Sequence, residues 1–154
     1  MLWEAIFWAS IGFIFYAYLG YPIILIILSL FRNRPVKKGD TTPSVSFIIT
    51  AHNEEKRIRQ KIENTLCQDY PRNLLEVIVA SDCSTDQTDS IVRPYCSQGV
   101  KLVRAIERKG KEHTQKRAVD IASGEILIFS DVATTLRRDG IRSIVKNYSD
   151  PSVG

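Results

Sequence analysis

The sequence predicts an α/β fold: a Rossmann-like parallel sheet of about four strands with flanking helices, preceded by one N-terminal transmembrane helix. Three observations predict it. Residues 5–31 are an uncharged apolar run. Beyond it, strand-like and helix-like stretches alternate. The strands are apolar on both faces, which suits a parallel sheet covered by helices on both sides.

The apolar run comes first. Glu4 is the one charged residue between Met1 and Phe31. Crossing the hydrocarbon core takes roughly 20 apolar residues, and this run is long enough. A cleaved signal peptide would start basic, carry a shorter apolar core and exit through small residues. Here the start is acidic and the exit is bulky and basic. Arg32, Arg34, Lys37 and Lys38 follow, and positive flanks stay cytoplasmic. The expectation is a single-pass anchor over 1–38, with the N-terminus outside and residues 39–154 in the cytoplasm. Gly20, Tyr21 and Pro22 predict a kink within the span. Trp3, Trp8, Tyr16 and Tyr18 supply interfacial aromatics or packing contacts.

The charge balance excludes one class of partner. The formal net charge is +4, from 21 basic and 17 acidic residues. Four of those bases and one of those acids lie in the first 38 positions, so the remainder is nearly neutral. The basic excess belongs to the anchor, and no nucleic-acid surface is expected. Cys67, Cys83 and Cys96 are odd in number and lack metal-ligand spacing, so reduced thiols are expected.

After a short linker at 39–44, Val45, Phe47, Ile48 and Ile49 predict a first strand ending near Thr50. A helix is expected from about 54 to 68, with Ile58, Ile62 and Leu66 as its apolar stripe and charges elsewhere. Leu75 to Ala80 predicts a second strand. Ser84 or Thr85 is expected to cap the next helix, whose first turn holds Asp86 and Asp89 and which Pro94 cuts short. Val100 to Ala105 predicts a third strand. A loop entering a helix is expected over 110–122, a fourth strand over 125–130, and a last helix over 139–148 with Ile141, Ile144 and Val145 inside. Val153-Gly154 resembles the entry to a further strand.

Ligands of open parallel sheets bind beyond the carboxyl ends of the strands. Three polar clusters fall at such ends. They are Thr50-Ala51-His52-Asn53-Glu54-Glu55, Ser81-Asp82-Cys83-Ser84-Thr85-Asp86-Gln87-Thr88, and Ser130-Asp131. Glu55 and Asp86 read as helix-start acids. Asp82 and Asp131 differ, because each directly follows an apolar strand well ahead of its helix. Two carboxylates on one edge favour a cation or a nucleotide. A receiver-like signalling domain also sets acids at strand ends, but it needs an acidic pair after its first strand, which His52-Asn53-Glu54-Glu55 fits poorly.

The segments SVSFIITAHNEEKRI, VIVASDCSTDQT, RKGKEHTQKRAVDIASGEILIFSD and SDPSVG, in this order, resemble family 2 glycosyltransferases over about residues 44–154. The resemblance implies the N-terminal half of a GT-A domain, inversion at the anomeric carbon and a nucleotide-sugar donor, usually UDP-linked. The acceptor would be a hydroxyl of a lipid or polysaccharide. It places Thr50, His52 and Glu54 at the base and ribose pocket, where the family usually has an aromatic at position 52. It makes Asp82 the acceptor of the uracil N3–H, and it puts Lys111, after Gly110, near the diphosphate. Asp131 matches the first acid of the family's Asp-x-Asp motif, a ligand for Mg²⁺ or Mn²⁺. The second acid is replaced by Ala133, and Thr134 or Thr135 is a candidate to add an oxygen. The general base and the Gln-x-x-Arg-Trp acceptor motif are expected beyond Gly154, so this chain is expected to be inactive alone. The alternative is a non-catalytic, membrane-anchored nucleotide-binding or regulatory fragment.

Overall fold

The computed structural model describes residues 1–31 and 35–153. Arg32 and Arg34 of the basic flank, and Gly154 of the anticipated further strand, lie outside the described residues. The chain divides into two compact units, Met1–Val36 and Lys37–Gly154.

The first unit is a helix long and apolar enough to cross a membrane, Leu2–Phe31. It comprises α1 (Leu2–Phe15), a π turn over Tyr16–Gly20, and α2 (Tyr21–Phe31). Pro22 has no N–H, and its ring crowds the carbonyl four residues back in a regular α-helix. The π turn directly ahead of it meets that demand. The irregularity expected around Gly20-Tyr21-Pro22 therefore appears as a π turn that begins earlier. A Cβ on Gly20 would sit 2.9 Å from the Tyr16 ring, so the turn packs its own tyrosine over the glycine.

The second unit is built on four parallel strands: β1 (Val45–Ala51), β2 (Leu75–Ser81), β3 (Val100–Arg104) and β4 (Ile126–Asp131). Their spatial order is β3-β2-β1-β4. The chain steps outward from β1 to β3 and then returns to the other side of β1. The order thus reverses between β1 and β4, where open α/β sheets place their ligand crevice. Thr50 pairs with Asp131 across that junction, and Ala51 pairs with Ser81 on the other side.

Period-2 alternation sorts the side chains. Val45, Phe47 and Ile49 of β1, with Val77 and Val79 of β2, join the larger core. That core also holds Ile58 and Ile62 of α3 (Ile58–Leu66), Val92 of α4 (Thr88–Val92), and Ile141 and Val145 of α6 (Gly140–Val145). Ile48, Ile78 and Ala80 face the other way, against Ala118 of α5 (Lys111–Val119). Helices therefore cover both faces, as expected.

Several boundaries differ from expectation, each for a local reason. The helix expected from residue 54 starts at Ile58, because Asn53 takes a left-handed conformation (φ 54°) and residues 55–57 form a turn. Glu55 is consequently no first-turn acid of that helix. Neither Ser84 nor Thr85 caps α4. Its cap residue is Gln87, and Asp86 Oδ1 accepts the Thr88 N–H at 2.9 Å. The α-helix is cut short at Val92, just ahead of Pro94, as expected, and the chain runs on as a 3₁₀ segment, Arg93–Gln98, to left-handed Gly99. The last helix ends at Val145 and tightens into 3₁₀ over Lys146–Ser149, with Ile144 only partly buried.

Candidate functional site

The loops after β1 and β2 brace each other. The Thr85 N–H donates to Asn53 Oδ1 (2.8 Å), the Gln87 N–H to Glu55 Oε2 (3.1 Å), and the Glu55 N–H to Asp86 Oδ2 (3.1 Å). The Glu54 N–H donates to Thr88 Oγ1 at 2.8 Å. Glu55 and Asp86 thus serve the loops themselves. The Glu54 side chain is taken by Arg57, which donates to both carboxylate oxygens at 2.8 Å.

Asp82 sits at the centre of this edge and is 5% exposed. Its N–H donates to the Ala51 carbonyl at 2.8 Å. Its carbonyl lies 2.7 Å from His52 Nδ1. A carbonyl only accepts, so Nδ1 carries the hydrogen and, in the neutral ring, Nε2 is left as an acceptor. The buried Thr114 hydroxyl on α5 lies 3.1 Å from Asp82 Oδ1 and 3.2 Å from the Gly110 carbonyl. No donor among the described residues meets Asp82 Oδ2. Thr50, one strand over, buries an Oγ1 with no hydrogen-bond partner among the described residues. Buried polar atoms are nearly always satisfied, so this orphan hydroxyl marks the crevice as a place for a polar ligand.

At the other wall, Lys111 Nζ donates to Asp131 Oδ1 at 2.6 Å. Both side chains remain open, at 56% and 60% exposure. Gly110 precedes Lys111 at φ +88°, a conformation that favours glycine. The sequence-predicted Thr50, His52, Asp82, Lys111 and Asp131 therefore share one edge. Glu54 lies on the same loop, but its carboxylate is engaged elsewhere.

Sequence reasoning missed Lys61 and Thr114, and it placed Ser130 in a strand-end cluster without giving it a role. Lys61 is 3% exposed on α3. Its ammonium donates to Ser130 Oγ (2.7 Å) and to the Thr134 carbonyl (2.6 Å), and it lies 5.3 Å from the Phe47 ring centre. Burial pushes its pKa down to about 8, against a smaller upward pull from the Asp131 carboxylate. The expectation that charges avoid the α3 stripe is corrected: Ile58, Lys61, Ile62 and Thr65 are the buried residues. A lysine at the i+3 position of that stripe was the available signal. Thr134, considered as an oxygen donor to a metal, uses its carbonyl on Lys61 and its N–H on Asp131 O (3.2 Å).

Among the described residues, no group of three or more His, Cys, Asp or Glu side chains is placed to hold a metal. A single open carboxylate at the crevice still fits a hard cation that draws its other ligands from phosphate and water. The whole edge is therefore a buried carboxylate and an orphan hydroxyl beside an open carboxylate–lysine pair, suited to a polar, anionic ligand.

Residues 46–154 match the family described as Glycosyl transferase family 2. The chain belongs to that family. It is 34% identical over 108 residues to the 4,4'-diaponeurosporenoate glycosyltransferase of Staphylococcus aureus (strain bovine RF122 / ET3-1), a match covering 68% of this chain and 28% of that protein. This glycosyltransferase chain thus spans 28% of the length of that curated relative. Among solved structures, it resembles the mannosyltransferase PcManGT from Pyrobaculum calidifontis in complex with GDP-Man and Mn²⁺. The TM-score is 0.79 at 33% identity, over 90% of this chain and 43% of that one. It also resembles S. aureus TarS 1–349 in complex with UDP-GlcNAc, with a TM-score of 0.62 at 29% identity, over 66% and 30% of the two chains. The fold is the GT-A-like α/β arrangement of a four-stranded parallel sheet with flanking helices, as the sequence predicted.

Proposed function

We propose that this chain carries the donor half of an inverting glycosyltransferase that moves a sugar from a UDP-linked donor to a hydroxyl of a lipid or glycan acceptor. The buried Asp82 carboxylate beside the orphan Thr50 hydroxyl carries the reading. Asp82 Oδ1 is steadied by Thr114, which leaves Oδ2 to accept the base N–H. A carboxylate only accepts, and its hydrogen bonds are charge-assisted and strong. His52, fixed by its Nδ1 bond to the Asp82 backbone, presents a ring to the base or ribose. Glu54 borders the same loop, its carboxylate held by Arg57. Lys111 faces the diphosphate.

Mg²⁺ or Mn²⁺ would be held by Asp131 together with donor phosphates, and when bound it neutralises charge on the departing nucleoside diphosphate. Lys111 adds a fixed positive charge on the same side. No residue described here is assigned as general base. The length and composition of the helix Leu2–Phe31 support a membrane anchor, and the basic flank that follows it in the sequence favours a cytoplasmic sheet with access to a lipid-borne acceptor. A GDP-linked donor is the second reading. It is favoured by GDP-Man in the mannosyltransferase neighbour, since guanine also offers an N–H donor to a carboxylate.

The test is binding of UDP, GDP and ADP to the full chain in detergent micelles, with and without Mn²⁺. Selective UDP binding, tightened by Mn²⁺ and lost in Asp82→Ala, is expected. Equal affinity for ADP would remove the Asp82 assignment, and preference for GDP would move the donor to the second reading.

A further inference from the structure

We propose that Lys61 is a positioning residue: from the α3 face of the sheet it clamps the turn that carries Asp131, so that one carboxylate can serve a divalent cation on a nucleoside diphosphate. The inference rests on the donor-site reading above.

Burying an ammonium is costly, and an aliphatic side chain at position 61 would avoid that cost. The contacts show what the ammonium does instead. Nζ reaches Ser130, the last residue before Asp131, and the carbonyl of Thr134, three residues beyond it. Between these points the chain folds back, with the Thr134 N–H donating to the Asp131 carbonyl at 3.2 Å and the Ser130 hydroxyl 3.3 Å from the same oxygen. Val132, inside the turn, is buried in the larger core. Lys61 therefore ties the strand end and the far side of the turn to one helix.

Alternation then decides what is left free. Ser130 points to the α3 face and meets Lys61, while Asp131 points to the α5 face and meets Lys111. With alanine at 133, the turn after β4 offers a cation no second acid among the described residues. Asp131 is then oriented by its bond to Lys111 and by its backbone, which β1 holds on the strand side and Lys61 holds through Ser130 and Thr134 on either side of the turn. Groups that orient a metal ligand change metal affinity without touching the metal.

The test uses Lys61→Met in the full chain in detergent micelles, read in two ways. The first is UDP affinity with and without Mn²⁺. The expected result is a loss of about tenfold in Mn²⁺-dependent affinity, with metal-free UDP binding at Asp82 unchanged. A general loss of structure would weaken both. The second is hydrogen–deuterium exchange over 130–136 without ligand, which is expected to speed up in the variant while β1 and β2 stay protected. Ser130→Ala, which keeps the lysine, is expected to shift both readouts the same way by a smaller amount, and it decides the matter if Lys61→Met does not fold. Unchanged exchange, or unchanged Mn²⁺-dependent affinity, overturns the inference. Absence of nucleotide binding by the wild-type chain overturns the donor-site reading and the role at the cation with it. The exchange experiment then shows separately whether the clamp itself exists.

Discussion

Lys111 and Asp131 form a 2.6 Å ion pair between the first turn of α5 and the end of β4, with both side chains more than half exposed. Such an open pair contributes about 0–1 kcal/mol to stability. Asp131→Asn is therefore expected to leave the urea midpoint nearly unchanged and to abolish the Mn²⁺-dependent part of nucleotide binding. Equal metal dependence in the variant would show that the cation does not use this carboxylate.

Cys83 sits at φ 52°, in the left-handed region, between Asp82 and Ser84. A side chain there costs roughly 1–2 kcal/mol, part of which glycine gives back through its freer unfolded chain. Cys83→Gly is expected to stabilise the chain by about 0.5–1 kcal/mol, measured by chemical denaturation. A destabilised variant would mean that the thiol's bond to the Ile106 carbonyl, at 3.7 Å, outweighs the backbone relief.

Glu76 closes the opposite end of the sheet. Its carboxylate accepts from Lys101, from the Ser46 hydroxyl, and from the Ser123 N–H (3.0 Å) and hydroxyl (3.1 Å). Burial pushes its pKa up, but these donors outweigh it and bring the pKa down to about 2, from an ordinary 4.5. Above pH 4.5 both folded and unfolded chains carry the charge, and the stabilisation is whole. As the pH falls from 4.5 towards 2, the unfolded chain takes up the proton first and the stabilisation is lost. The amount is about 3 kcal/mol. Glu76→Gln is expected to flatten that part of the stability–pH curve. An identical acid limb in the variant would place the loss at other carboxylates.

Gly124 lies under β1. A Cβ there would meet Ser46 N at 2.3 Å and Val45 C at 2.6 Å, both backbone atoms of a central strand. Gly124→Ala is expected to cost about 3 kcal/mol, visible as a lowered melting temperature. A neutral result would require β4 to move away from β1.

The strands and their parallel pairing were legible because Val45–Ile49 and Leu75–Ala80 are apolar on both faces, a pattern that few other folds use. Asp82 and Asp131 were legible because each ends such a run. Lys61 was overlooked because a lysine is ordinarily solvated, although its spacing from Ile58 placed it on the buried stripe. Thr114 gave no local signal, and Ser130 was legible as a strand-end polar residue but not in its role. Their roles depend on partners far along the chain, Thr114 on Asp82 and Ser130 on Lys61. The helix starts after β1 and β2 were misplaced for the same reason. Asn53, Glu55 and Asp86 bond across loops about thirty residues apart, and no short window of sequence contains both ends.

Those cross-loop bonds bear on the kinetics of capture. The two loops hold one another through Asn53–Thr85, Glu55–Gln87 and Asp86–Glu55 before any ligand arrives. A molecule entering beside Asp82 has little backbone left to freeze, so most of its interaction free energy is retained as affinity. Association there should be fast and nearly free of slow relaxation phases. Any sluggish step should come from the β4 turn, where the ligand must displace Lys111 from Asp131.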